Sequence, residues 1–177
     1  MNLSISDLRS PLGDLKAAWH DGHLCALAFT DHWQRTERFL QRRFGAIDWS
    51  AAKGTDLRTR LDRYFAGDLQ AIAGIEVDAG GTPFQQSVWR ALRRIPIGST
   101  TTYSALAREI GAPSAVRAVG AANGANPIWL IIPCHRAIGA DGRLVGYAGG
   151  LHRKQWLLEH EGALQSERQL PLARAIA

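Results

Sequence analysis

The stretch from Arg117 to Arg136 constrains this chain more than any other. Ala118 to Ala122 reads as helix, because alanine is the best helix former and loses no side-chain entropy on folding. Asn123-Gly124 stops that helix, glycine being the usual residue just past a helix end. Asn126-Pro127 then makes a turn, since Pro127 cannot continue a helix and Asn126 can bond nearby backbone. Ile128, Trp129, Leu130, Ile131 and Ile132 form an apolar run expected to be buried as extended chain. Pro133 fixes the angle at which that run delivers Cys134 to the edge of a core.

A lone buried cysteine is usually a small hydrophobe. Three features point Cys134 towards chemistry instead. It is followed by the imidazole of His135 and the guanidinium of Arg136, either of which favours a thiolate. It ends a buried segment, where a rigid scaffold can aim a nucleophile. The preceding helix carries small side chains and one long basic one, Arg117, which suits close approach to a polyanion.

A chain of 177 residues can bury a working core as one domain or as two small ones. Its 46% hydrophobic content and lack of charge runs exclude a disordered polymer. Met1–Gly13 has no charged start followed by an apolar core, so a secretory signal is not expected. No apolar run approaches the ~20 residues of a membrane span. Cys25 and Cys134 make no disulfide framework and suit a reducing compartment. Adjacent Cys134 and His135, with His152 and His160, lack the paired spacing of zinc ligands, so no metal is expected.

The net charge of +5 is unevenly placed. Residues 1–81 hold 10 Lys/Arg against 11 Asp/Glu, whereas residues 82–165 hold 9 against 4. Such clustering is the electrostatic footprint of a phosphate-binding surface. Arg153 and Lys154 also admit the plainer reading of a solvated face.

In the first half, Leu15 to Ala28 reads as a β-hairpin around an Asp21-Gly22 turn. Trp33 to Phe44 is an amphipathic helix ended by Gly45, and a second helix runs from about Asp56 to Phe65 and stops at Gly67. Ile72, Ile75 and Val77 suggest a last extended segment, and Cys25 is most simply core. The flexible stretch Asp78-Ala79-Gly80-Gly81 is the expected domain boundary. In the second half, Thr82 caps a helix with Pro83 at its first position and Gln85 closing a capping box. Ile95-Pro96-Ile97-Gly98 breaks it. A helix at about Tyr103–Ile110, a turn at Gly111, and a helix opened by Ser114 make a helix-turn-helix pattern. Asp141-Gly142 reads as a turn, Leu144-Val145 as a short extended piece, and Leu151 to Glu161 as a helix ended by Gly162.

Asn126-Pro127, the Ile131-Ile132-Pro133-Cys134-His135-Arg136 block and Gly146-Tyr147-Ala148-Gly149-Gly150 together resemble the O6-alkylguanine-DNA alkyltransferases. The likeness runs across nearly all of residues 82–163. It implies an α/β (α+β) protein: a small ribonuclease-H-like sheet-and-helix domain over 1–80, a helical winged-helix-like DNA-binding domain over 82–165, and a tail over 166–177. It also implies direct repair of O6-alkylguanine, with O4-alkylthymine left open, by one irreversible transfer to Cys134 after base flipping. Extrusion is required in any case, because guanine O6 inside a duplex is closed to in-line attack by a protein sulfur.

The resemblance assigns roles residue by residue. A free cysteine has a pKa near ~8.5, so it needs a base nearby. His135 is that base, reaching Cys134 through a water, with Glu161 as the carboxylate behind it. A carboxylate is out of place at a helix C-terminus unless a buried partner holds it. Asn126 braces the turn, and Tyr103 meets the extruded guanine. Arg117 fills the gap left by the flipped nucleotide. Ser114, Ala118, Ala121, Thr102 and Arg136 join it at the DNA, with the helix in the minor groove. Ala137, Tyr147, Ala148 and Gly149 line the substrate pocket with Tyr103 and Cys134. Ala148 stands where some members carry serine, which leaves only its backbone N–H to serve O6 and makes room for bulkier adducts.

No cofactor is implied. The expected partner is double-stranded DNA containing alkylated bases, met by a monomer or by monomers clustering on DNA, and no membrane. The expected location is the cytoplasm with the nucleoid, or the nucleus in a eukaryote. Two rivals are weaker. A non-catalytic lesion binder would have no need of Cys134. A cysteine hydrolase using Cys134, His135 and Asn126 would normally draw on a distant histidine and leaves the basic half unexplained.

Overall fold

A computed structural model describes residues 1–52 and 56–164; the tail expected over 166–177 lies outside the described residues. The first half is built on a four-stranded sheet of order β3-β2-β1-β4. Strands β1 (Asn2–Leu8), β2 (Leu15–His20) and β3 (His23–Phe29) are antiparallel neighbours, and β4 (Asp48–Ala51) joins β1 in parallel. The β2–β3 turn is the expected Asp21-Gly22, both residues having positive φ, as a two-residue hairpin turn demands. Helix α1 (Trp33–Phe44) follows β3 with Trp33, Thr36 and Leu40 buried, and Gly45 ends it at φ +74°. Helix α2 (Leu57–Phe65) buries Leu57, Leu61 and Tyr64.

The second half is helical. It comprises α3 (Pro83–Arg94), α4 (Tyr103–Glu109), α5 (Val116–Gly124) and α6 (Leu151–His160), with a two-residue parallel pairing of β5 (Thr101–Thr102) and β6 (Ala137–Ile138). The capping box at Thr82 and Gln85 is present in both directions. One continuous apolar core runs through both halves, from Leu3 in the sheet to Leu157 in α6. Among the described residues no helix is long and apolar enough to cross a membrane.

Several expectations change. Strands β1 and β4 were not foreseen; β1 carries an alternating Leu3, Ile5 signal that competes with Ser and Asp, and β4 is only four residues long. Residues 69–74 pass through turns, leaving Val77 alone to bridge to Leu24. Asp78-Ala79-Gly80-Gly81 is tightly packed rather than flexible. The Asp78 N–H donates to Leu24 O, Arg43 holds the Asp78 carboxylate, and a Cβ on Gly81 would lie 2.6 Å from the Trp89 ring. Helix α5 includes Asn123 and Gly124 and begins at Val116, so Ser114 sits in the preceding turn and does not cap it. Leu144-Val145 forms no strand.

The largest change concerns Ile128 to Ile132. The segment is buried as expected, but it turns instead of extending. Ile128 bridges in parallel to Leu27 of β3: Leu27 N–H donates to Pro127 O and Trp129 N–H to Leu27 O. Beyond that anchor the chain folds back, with the Ile132 N–H on Ile128 O and Leu130 at φ +70°. A bulky side chain in the left-handed region is strained by about 1 to 3 kcal/mol and persists only where its surroundings enforce it. Burial of all five apolar side chains supplies that enforcement.

The α3 cap offers a direct check on this description. Thr82→Ala removes the acceptor of the Gln85 N–H and should lower unfolding free energy by about 1 kcal/mol in urea titrations, with the slope unchanged.

Candidate active site

Asn126 holds the strained turn shut. Its Nδ2 donates to Ile132 O at 2.9 Å, its Oδ1 accepts from the Ile128 N–H at 2.9 Å, and its own carbonyl accepts from the Trp129 indole. The side chain therefore grips both ends of residues 128–132 and replaces hydrogen bonds that a strand would have made. This clamp sets Cys134 at the start of a short 3₁₀ turn, Cys134–Arg136, with its N–H on Ile132 O.

Cys134 is 3% exposed, and burial pushes its thiol up to about 11. A hydrogen bond from the Asn126 side chain, the charge of Lys154, and the N–H groups of Cys134 and His135 work against that rise. His135 is fully buried; burial holds its imidazole below the ordinary pKa although Glu161 pulls it upward. The ring is thus neutral near pH 7 and fit to accept a proton. Its Nε2 meets Glu161 Oε1 at 3.1 Å, while Nδ1 has no hydrogen-bond partner among the described residues.

Glu161 is the C-cap of α6, and its side chain is fully buried. Arg136 Nε donates to Oε2 at 2.8 Å, Arg136 Nη2 to Oε1 at 2.9 Å, and the Tyr64 hydroxyl to Oε1 at 2.8 Å. Burial opposes the charge, yet the bonds from His135 and Arg136 outweigh it and hold the carboxyl well below the usual range. The odd position of this carboxylate is explained: it is a buried counter-charge.

Arg136 was expected at the DNA. It is 6% exposed and committed to Glu161, with Nη1 on Ile95 O, so it belongs to the interior of the site. Lys154 and Arg153 leave the surface as well. Lys154 is fully buried with Nζ on the carbonyls of Ala137 and Val145, and burial pulls its pKa down to about 8. Arg153 lies over the Phe29 ring and pairs with Asp31. A count of charges along the chain could not separate these from exposed ones.

The other expected residues fall into two groups. Ser114, Arg117, Ala118 and Ala121 are exposed at helical spacing, on or just ahead of α5, and share one face. A Cβ on Gly120 would meet nothing within 4 Å, so no packing inside the protein requires a glycine there. Thr102 is half-buried and caps α4 through the Ala105 N–H. Tyr103 is half-buried, and its hydroxyl lies 3.2 Å from Val145 O and 3.3 Å from Gly146 O; burial and the nearby Cys134 push it to about 12. Ala137, three residues past Cys134, is wholly buried, half-buried Ala148 follows Tyr147, and the buried Tyr147 hydroxyl has no hydrogen-bond partner among the described residues. Gly149 is needed for close packing, because a Cβ there would lie 2.7 Å from the Tyr147 ring and 3.0 Å from Trp129. Sequence reasoning missed Tyr64 and Lys154. Tyr64 shares the buried face of its helix with Leu57 and Leu61, and nothing local distinguishes a core tyrosine from one bonded 97 residues away.

Glu161 ties this geometry to pH. Its folded pKa lies below its ordinary 4.5, so its stabilising contribution is complete above 4.5 and is lost as pH falls through that value towards the folded pKa. His135, neutral when folded, adds loss of the same sign below its ordinary 6.5. Glu161→Gln strands Arg136 and should cost about 3 to 5 kcal/mol at neutral pH. It should also flatten the decline that denaturant titrations of the wild type show from pH 5 down to about pH 3.

Comparison with known proteins gives the arrangement its relatives. Residues 83–163 match the family model for the 6-O-methylguanine DNA methyltransferase DNA binding domain. The methylated-DNA–protein-cysteine methyltransferase of Salmonella typhimurium is 47% identical over 161 residues, covering 89% of this chain and 94% of that protein. The protein of that name from Mycobacterium leprae is 47% identical over 154 residues, covering 86% and 88%. Among solved structures, Mycobacterium tuberculosis OGT in complex with DNA superposes with a TM-score of 0.77 at 42% identity, covering 92% of this chain and 94% of that one. The O6-methylguanine-DNA methyltransferase of Pyrococcus kodakaraensis gives 0.71 at 28% identity, covering 90% and 99%. With its cysteine, histidine and buried carboxylate in one cluster and such relatives along nearly its whole length, this chain belongs to the methylated-DNA–protein-cysteine methyltransferase family.

Proposed function

We propose that this protein repairs O6-alkylguanine in double-stranded DNA by moving the alkyl group irreversibly onto the Cys134 sulfur. The observation that carries the reading is a lone cysteine held by the Asn126 clamp beside a neutral, carboxylate-backed imidazole. The sulfur attacks the alkyl carbon, an S–C bond forms, and the C–O6 bond breaks with its electron pair passing to the guanine oxygen. The thiol proton passes to His135 through water, Glu161 stabilises the imidazolium, and a proton returns to the base to restore guanine. The thioether has no internal leaving route, so each molecule acts once.

The burial of Cys134 supports base extrusion, since a stacked guanine has no approach to it. Arg117, on the exposed face of α5 with Ala118 and Ala121, is the residue we assign to the vacated place in the stack. Tyr103, Tyr147, Ala148 and Gly149 are the walls we assign to the base and its alkyl group, with Ala137 beneath. The division at residues 80–82 into a sheet-bearing domain and a DNA-binding domain is part of the same proposal. So is a cytoplasmic site of action, which two unpaired cysteines support.

Intact mass after exposure to an alkylated duplex tests the reaction: wild type gains one alkyl group and does not turn over. Cys134→Ser should gain none while binding DNA within about twofold of wild type, because no phosphate contact is removed. Transfer that survives in Cys134→Ser, or stops in Cys25→Ser, contradicts the assignment.

Arg117→Ala separates a wedge from a phosphate contact. Loss of a phosphate contact would weaken binding and reduce its salt slope by about one unit. A lost wedge should slow transfer from duplex DNA at least about tenfold while sparing transfer from free O6-alkylguanine.

A further inference from the structure

Tyr64 belongs to α2, in the sheet-bearing half of the chain and far in sequence from Cys134. Its hydroxyl donates at 2.8 Å to Oε1 of Glu161, the same oxygen that His135 Nε2 meets at 3.1 Å. The ring is fully buried, edge-on to Phe65 and His160 with centroids 5.2 Å away in each case. The Tyr64 carbonyl meets His160 Nε2 at 2.8 Å, so α2 and the end of α6 are pinned at two points. A core aromatic needs only some acceptor for its hydroxyl. This one takes an acceptor whose charge tunes the imidazole next to Cys134.

We propose that Tyr64 is a positioning residue for alkyl transfer, fixing the Glu161 carboxylate and tempering its pull on the His135 proton. The inference rests on the alkyl-transfer reading above. Three donors converge on Oε1: Tyr64, Arg136 Nη2 and His135. The carboxylate sits at the negative end of α6, where the helix adds no donor of its own. Each donor withdraws charge from the oxygen, so the tyrosine weakens the attraction that would turn His135 into an imidazolium. Neutral His135 is the form that can take the thiol proton. The charged and titratable groups around the pair are these: Glu161, Arg136 and Lys154 act on His135, His135 and Arg136 act on Glu161, and Glu161 in turn acts on Tyr64 and Tyr147. Burial and Glu161 together raise the Tyr64 pKa far above its ordinary value, so it remains a donor across the working range.

Tyr64→Phe keeps the ring and deletes the hydroxyl. Single-turnover transfer from an alkylated duplex should fall by up to about tenfold on the acid side of the His135 titration, the size of one hydrogen bond to a charged group, and by no more than about threefold at neutral pH. The acid limb of the pH–rate profile should move to higher pH, and the rate should approach wild type at alkaline pH, where His135 is neutral in both proteins. DNA affinity should stay unchanged. An NMR titration of the His135 ring should show a higher pKa in the variant, a readout that a purely structural role would leave alone. Combined with Glu161→Gln, the tyrosine change should add little, because one acts through the other. A profile that overlays wild type, a loss equal at every pH, an unmoved His135 titration, or additive losses would each overturn the inference. Wild type that gains no alkyl mass in the same assay overturns the function itself, which keeps the two failures apart.

Discussion

The buried carboxylate of Glu161 is the interaction on which the rest of the site depends. A charge without solvent must be paid back in hydrogen bonds, and this one takes four, from Tyr64, His135 and both arms of Arg136. Those donors come from α2 and from the Cys134–Arg136 turn, whereas the acceptor ends α6. Three segments far apart in sequence are therefore held by one functional group. The cost of leaving it partly satisfied makes the arrangement cooperative, because losing any donor weakens the reason for the others to stay.

Around the sulfur, two requirements oppose each other. Reactivity favours a thiolate, and selectivity for an extruded base favours a dry, enclosed sulfur. Burial wins in the resting protein, with the thiol at about 11. The Asn126 amide, the two backbone N–H groups and Lys154 recover part of what burial takes. Lys154 is itself drawn down to about 8 by the same dry surroundings. The thiol and the imidazole are thus neutral in the resting site, flanked by the charged Glu161, Arg136 and Lys154, and charge transfer between them is left for the moment when a substrate fills the space.

Much of this was legible in the residues, for identifiable reasons. Helix α1, the β2–β3 hairpin and the α3 cap were read correctly because each is decided locally, by Gly45, by Asp21-Gly22 and by Thr82 with Gln85. Cys134, His135, Asn126 and Glu161 were found together through a motif and an out-of-place carboxylate. What escaped was decided at a distance. Ile128 to Ile132 looks like a strand from its composition, yet Asn126 and the edge of β3 bend it into a turn. Arg136, Arg153 and Lys154 carry the same letters as solvated residues and differ only in what surrounds them. Tyr64 gave no local sign at all.

The high pKa of Cys134 bears on the single-use transfer proposed for its sulfur. Peroxides and disulfides attack thiolates, and susceptibility follows thiolate character and exposure. Cys134, 3% exposed and with its thiol almost wholly protonated at neutral pH, is a poor target for either. Cys25, buried in β3 and pushed up to about 12, offers no adjacent thiol to complete a disulfide, because it sits in the sheet and not in the turn. With the proposed single transfer, the molecule can therefore wait in an oxidising moment without losing its one equivalent of reagent, and its capacity is set by how many copies were made, not by how long they have stood.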